Sequence, residues 1–153
     1  MDDDSAQTVA KTVAGLYHEV HDKLREQVRG QDHGTLNWRP LPKANSIAIL
    51  VAHSIGSEME MLRALRKLAA DRDRESEFKV EAEAADLVAL IDQADRALDE
   101  HLGALTQADL MELRPRGDRP PRPGIEWLVS NYGHAREHLA QIELTKQLYD
   151  SRD

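Results

Sequence analysis

Residues 125–142 read IEWLVSNYGHAREHLAQI, and two sets of positions run through them at steps of three and four. Leu128, Val129, Tyr132, Ala135, Leu139 and Ile142 form one stripe, the apolar face of an amphipathic helix. Trp127, Asn131, His134, His138 and Gln141, continued by Thr145, form a second, polar stripe beside it. The helix is predicted from Ile125 to about Tyr149.

The same periodicity recurs upstream. Val9, Val13, Leu16, Tyr17, Val20 and Leu24 predict a helix from about Ala6 to Arg29, stopped by Gly30. Asn45 or Ser46 caps a second, running to about Ala70 through Ile47, Leu50, Val51, Met61, Leu62, Leu65 and Leu68. Leu87, Leu90, Ile91, Ala94, Leu98, Leu102 and Leu105 mark a third, beginning near Ala84 or Asp86, and Thr106 to Asp109 reads as a capped short turn after it. Leu36 to Pro42 is an extended connection, because a residue preceding proline avoids the helical region. Arg114 to Gly124 holds four of the six prolines and cannot be regular helix. No strand-like alternation stands out. The fold class is therefore all-α, a single four-helix bundle over residues 1–153, with connections long enough for crossovers.

Composition narrows the function. The chain has 153 residues, one domain's worth, and 20 basic against 28 acidic residues give a formal charge of −8. That balance disfavours nucleic acid as a partner. The longest apolar run, Ile47–Ala52, is far short of the ~20 residues that span a bilayer, so no membrane is expected. The N-terminus begins Met1-Asp2-Asp3-Asp4, acidic where a secretory signal is basic, so the expected location is cytoplasmic. With no cysteine, any transition-metal site must be built from the seven histidines, with or without carboxylates.

His134 and His138 are spaced i,i+4, so both imidazoles can reach one ion on the same side of a helix. His53 sits in the most apolar stretch of the chain, Ile47 to Ile55, where a histidine is either a hydrogen-bonded core residue or a ligand. His53, His134 and His138 are the candidate metal ligands, and three imidazoles leave positions on an ion for water or substrate. Asn131, three residues before His134, and Gln141, three after His138, could orient a ring or a bound ligand. Glu60, two turns beyond His53, reads as a surface residue, and Glu137 is assigned no role. His18 and His21 read as solvated surface, His33 as a loop residue, and His101 as partly buried. The Arg114–Pro123 segment, with four arginines against Asp118, is either a lid that grips a carboxylate or a solvated linker. Arg116-Gly117-Asp118 matches an integrin-recognition tripeptide by coincidence. Trp38 is expected to plug an end of the bundle, and Trp127 to pack near the histidine stripe.

Leu36-Asn37-Trp38-Arg39-Pro40, then Ser46-Ile47 and the apolar run ending in His53, resembles the first half of the DinB/YfiT-like proteins. His134-x-x-x-His138 followed by Leu139-x-Gln141-Ile142 resembles their last helix. The resemblance implies an up-down-down-up bundle, a long link between the second and third helices, and homodimers. It also implies a divalent metal, usually zinc or nickel, on His53, His134 and His138. Some relatives join a low-molecular-weight thiol, such as bacillithiol or mycothiol, to an electrophile. The mycothiol-dependent isomerases carry Glu-x-x-x-His where this chain has His-x-x-x-His, so the all-histidine set is nearer the bacillithiol-transferase-like branch. Three functions stay open: a metal-dependent thiol S-transferase, a metal-dependent hydrolase, and a non-enzymatic metal- or ligand-binding stress-response protein.

Overall fold

Helix caps set the boundaries of the fold, which a computed structural model describes over residues 1–153. The Asp2 side chain accepts from Ser5 N–H and starts α1 (Asp3–Val28) three residues earlier than the apolar pattern suggests. Gly30, at φ 74°, takes the left-handed turn after it. A short α2 (His33–Asn37) follows, capped by Asp32. Ser46, rather than Asn45, caps α3 (Ile47–Leu65). The crossover carries the single turn α4 (Arg74–Glu77). A reciprocal Glu83–Asp86 capping box opens α5 (Ala84–Gly103), and Thr106 with Asp109 does the same for α6 (Gln107–Met111). β1 (Leu113–Arg116) and β2 (Arg119–Pro123) form an antiparallel hairpin that leads into α7 (Gly124–Asp150).

Side-chain pairings give the helix directions. Gln7 reaches Leu105, His18 reaches Asp95 and Asp99, and Arg25 reaches Asp92, so α1 and α5 are antiparallel. His53 faces His138 and Ser57 faces Asn131, so α3 and α7 are antiparallel. Tyr17 pairs with Asn131, and Trp38 beyond α1 packs edge-to-face against Tyr149, so α1 and α7 are parallel. The four long helices are thus up-down-down-up. One continuous core of Leu, Ile, Val, Ala, Met and Tyr17 lies between them, with α3 packed against both α5 and α7.

Several expectations are corrected. The second long helix stops at Leu65, not near Ala70, because Lys67 adopts a left-handed conformation (φ 54°) and Leu68 N–H turns back onto Arg63 O. Leu68 is consequently exposed, as is Val129 of the supposed apolar stripe. The Arg114–Pro123 segment is neither solvated linker nor strandless: it is the β hairpin, turning at Gly117 (φ 60°). Its inward positions are Arg114 and Arg116, 1% and 4% exposed, so the alternation is carried by charged residues and escapes a search for apolar ones. His21, expected in solvent, is fully buried between Glu58 (Nε2 to Oε2, 2.9 Å) and Asp95. Those carboxylates compensate its burial.

Candidate metal centre

α3 and α7 bring three histidines together at mid-bundle. His53 comes from α3, and His134 and His138 come from successive turns of α7. One ligand atom from each lies within 4.8 Å of the other two, and ring centroids are 5.0 Å apart for His53–His138 and 4.2 Å for His134–His138. No fourth potential ligand joins this set. His138 is buried, His53 half-buried, and the His134 side chain stands 41% exposed at the rim. The site therefore opens on the His134 side.

The outer nitrogen of each ring faces an oxygen. His138 Nδ1 is 2.9 Å from Gln141 Oε1, His53 Nδ1 is 3.1 Å from Glu77 Oε1, and His134 Nδ1 is 3.6 Å from Glu137 Oε2. The acceptors at His138 and His53 favour their Nδ1–H tautomers and leave Nε2 lone pairs for an ion, whereas Glu137, at 3.6 Å, stands beyond hydrogen-bond reach of His134. Arg72 Nη2 also lies 3.3 Å from His53 Nδ1, but Glu77 Oε1, at 2.8 Å, takes its proton. The donor set fits a divalent transition ion: three imidazoles from two rigid helices, with the His53 and His138 rings held from behind.

Electrostatics favour neutral His53 and His138 rings. Burial lowers the His53 pKa, and Arg72 and Arg74 add to it, while Glu77 opposes. Burial also lowers that of His138, helped by the other two histidines and opposed by the Gln141 hydrogen bond. Neutral imidazole is the ligating form.

Sequence reasoning missed Glu77 and Arg72. Both lie in the charged stretch from Asp71 to Glu77, just past the predicted end of the second helix. Glu77 is 7% exposed, gripped by Arg72 through Nε (2.9 Å) and Nη2 (2.8 Å), and it seats against Gly56. A Cβ at Gly56 would collide with its carboxylate. A glycine three residues after His53, inside a helix, was the available signal.

Of the two predicted orienting residues, Gln141 contacts a histidine and Asn131 does not. Asn131 is buried instead between Tyr17 (O–H to Oδ1, 2.8 Å) and Ser57 (Nδ2 to Oγ, 3.0 Å). Glu60 is not free surface: it pairs with Arg116 Nε (2.8 Å) and Arg72 Nη1 (3.2 Å). Glu137 is the carboxylate nearest His134 Nδ1, although no role was foreseen for it. His101 lies apart from the cluster, and His33 pairs with Glu83 at the surface. Trp127 is buried and donates to Arg114 O at 2.7 Å.

The geometry can be set beside known proteins. A family model described as the DinB superfamily matches residues 16–142, a span that includes all three histidines. A conserved protein from Enterococcus faecalis superposes with TM-score 0.78 at 17% identity, over 94% of this chain and 98% of that one. A DinB-like protein (YjoA) of Bacillus subtilis gives 0.73 at 15% identity, over 93% and 94%. A DinB-like protein of Bacillus cereus gives 0.75 at 14% identity, over 92% of each chain. No curated protein matches. No helix is long and apolar enough to cross a membrane. The structural neighbours speak for the fold, and the family model spans from α1 to the histidine helix: the chain belongs to the DinB superfamily.

Proposed function

We propose that this protein is a metal-dependent enzyme whose ion sits on His53, His134 and His138 and activates a low-molecular-weight thiol, or water, for attack on an electrophile. The observation that carries this reading is the convergence of three imidazoles with no fourth protein ligand beside a solvent-exposed rim. A closed structural site would fill the fourth position. When bound, the ion would lower the pKa of a coordinating thiol or water and so supply a nucleophile at neutral pH. Zinc and nickel both suit an all-imidazole set.

The protein's own groups prepare the site. Glu77, locked by Arg72, and Gln141 hold the His53 and His138 rings by Nδ1. The α3–α7 packing shuts the inner side, and His134 leaves approach only from the rim. The chain has no cysteine, so a thiol reaction of the bacillithiol-transferase type would take its sulfur from the cofactor.

The test begins with metal content. Protein purified without an affinity tag or chelator is compared with His53→Ala and His138→Ala. About one ion per chain in the parent, absent from both variants, supports the reading. Metal-loaded protein is then given a model electrophile with bacillithiol, mycothiol or water alone. Thiol-dependent turnover marks a transferase and thiol-independent turnover a hydrolase. A loaded protein inert in every arm supports the binding-protein alternative.

A further inference from the structure

Next to His134 the hairpin and the two site helices enclose a cavity of about 250 Å³, lined by Ser57, Arg116, Arg119, Trp127, Ser130, Asn131 and His134. No acidic side chain lines it, in a chain of net charge −8. Its two arginines differ. Arg116 is mostly engaged: Nε goes to Glu60 Oε1 at 2.8 Å, and Nη2 to Ser57 O and Oγ at 2.7 and 2.8 Å, with only Nη1 outside these bonds. Arg119 is exposed at the mouth, 6.0 Å from the Trp127 ring centroid, with no carboxylate partner.

Ser57 adds a second unspent group. It is one turn beyond His53 on the same side of α3, and only 5% exposed. Its Oγ accepts from Arg116 Nη2 (2.8 Å) and Asn131 Nδ2 (3.0 Å), and donates to nothing. A serine hydroxyl has one hydrogen, and both neighbours are donors, so that hydrogen is free to turn toward the cavity that Ser57 lines. A buried donor without an acceptor is costly. An acceptor bearing negative charge would satisfy the Ser57 hydroxyl and the Arg119 guanidinium together.

We propose that this cavity seats a carboxylate carried by the molecule that reacts at the histidines, with Ser57 and Arg119 as its donors and the Trp127 indole as its wall. The proposal deepens the functional reading above and depends on it only for the identity of the reacting centre. One free guanidinium and one hydroxyl match the charge of a carboxylate and fall short of that of a phosphate dianion.

The test uses metal-free protein, so that the cavity is read independently of the ion. Acetate, succinate and benzoate are titrated while the Trp127 indole N–H is followed by NMR, with Trp38 as internal reference. At least one carboxylate is expected to shift Trp127 saturably, and the corresponding methyl esters are expected to leave it in place. Arg119→Gln should weaken that binding about tenfold. Ser57→Ala should weaken it too, while Arg96→Gln, which removes an equal charge from the exposed face of α5, should change it less than about twofold. No shift with any of the three carboxylates overturns the proposal. So does equal weakening by Arg119→Gln and Arg96→Gln, or tighter binding of inorganic phosphate. Arg119 is exposed on the hairpin, so its variant stays interpretable even where Ser57→Ala fails to fold. Metal counts on each preparation before the ion is stripped report separately on the histidines, so a failed titration and a missing ion are distinct results.

Discussion

The Nε2 atoms of His134 and His138 lie 2.9 Å apart. Two nitrogens at that distance share one proton or one ion. Gln141 Oε1 holds the proton of His138 on Nδ1, so in metal-free protein the shared proton belongs to His134 Nε2.

Loading the site should therefore move a proton within one ring. His134 is expected as the Nε2–H tautomer without metal and as Nδ1–H, facing Glu137, with zinc. Long-range ¹H–¹⁵N correlation distinguishes the two, and an unchanged His134 tautomer on zinc addition would remove it from the ligand set. Zinc at about 100 times its Kd should also stabilise the parent by about 2.7 kcal/mol, and His53→Ala should abolish that gain.

Glu77 acts on the ion through His53. Glu77→Gln keeps an acceptor near Nδ1 but loses the charge that Arg72 grips. It is expected to lower zinc affinity about 10- to 100-fold, read by competition with a chromophoric chelator. Gly56→Ala should have the same direction of effect without touching a ligand, because its Cβ would displace the Glu77 carboxylate. It should also cost about 1–3 kcal/mol in stability. Parent-like affinity in both variants would leave Glu77 as packing alone.

Much of this was legible in sequence. His53, His134 and His138 stand out because helical spacing and an apolar context are local properties. Their meeting needed only antiparallel packing of two recognisable helices. Glu77, Arg72 and Arg116 did not stand out, because their partners lie on other elements and a charged residue in a charged stretch looks solvated. His21 misled for the same reason. It lies beside the stripe of α1, and its burial is decided by Glu58 of α3 and Asp95 of α5. The hairpin was hidden because its inward residues are arginines.

The His21 network makes stability depend on pH. Burial alone would lower the His21 pKa, but the hydrogen bonds and charges of Glu58 and Asp95 outweigh it and raise the pKa above 6.5. His18, between Asp95 and Asp99, is raised in the same way, against a smaller burial effect. Burial raises Glu58 from 4.5, and its Oε1 has no partner. The folded state thus holds protons more tightly than the unfolded state. The histidines' contribution is complete below pH 6.5 and is lost as pH rises through their folded values. His53 and His138 are lowered, so their contribution is present above 6.5 and lost as pH falls through their folded values. Metal-free protein should melt at a lower temperature as pH rises above 6.5, and His21→Gln should flatten that slope. A slope unchanged in His21→Gln would assign the titration elsewhere.

Arg114 is the joint that keeps the hairpin over the site. At 1% exposure, its Nε donates to Leu65 O (3.0 Å) at the end of α3. Its Nη2 donates to Ala108 O (3.1 Å) and Asp109 Oδ1 (3.2 Å) of α6, and its Nη1 to Glu112 Oε2 (3.0 Å). Its own carbonyl accepts from Trp127 Nε1. Arg114→Ala strips donors from buried carbonyls and leaves Asp109 without this partner, so it should cost about 3–5 kcal/mol in urea denaturation. Lysine should recover little, because one ammonium cannot serve three directions at once. Arg122→Ala, on the exposed strand, removes only a guanidinium 5.0 Å from the Trp127 ring centroid and should stay within about 1 kcal/mol. If Arg114→Ala proved as mild as Arg122→Ala, the hairpin would be held by its backbone and by Arg116, and the lining of the cavity beside His134 would not depend on this joint.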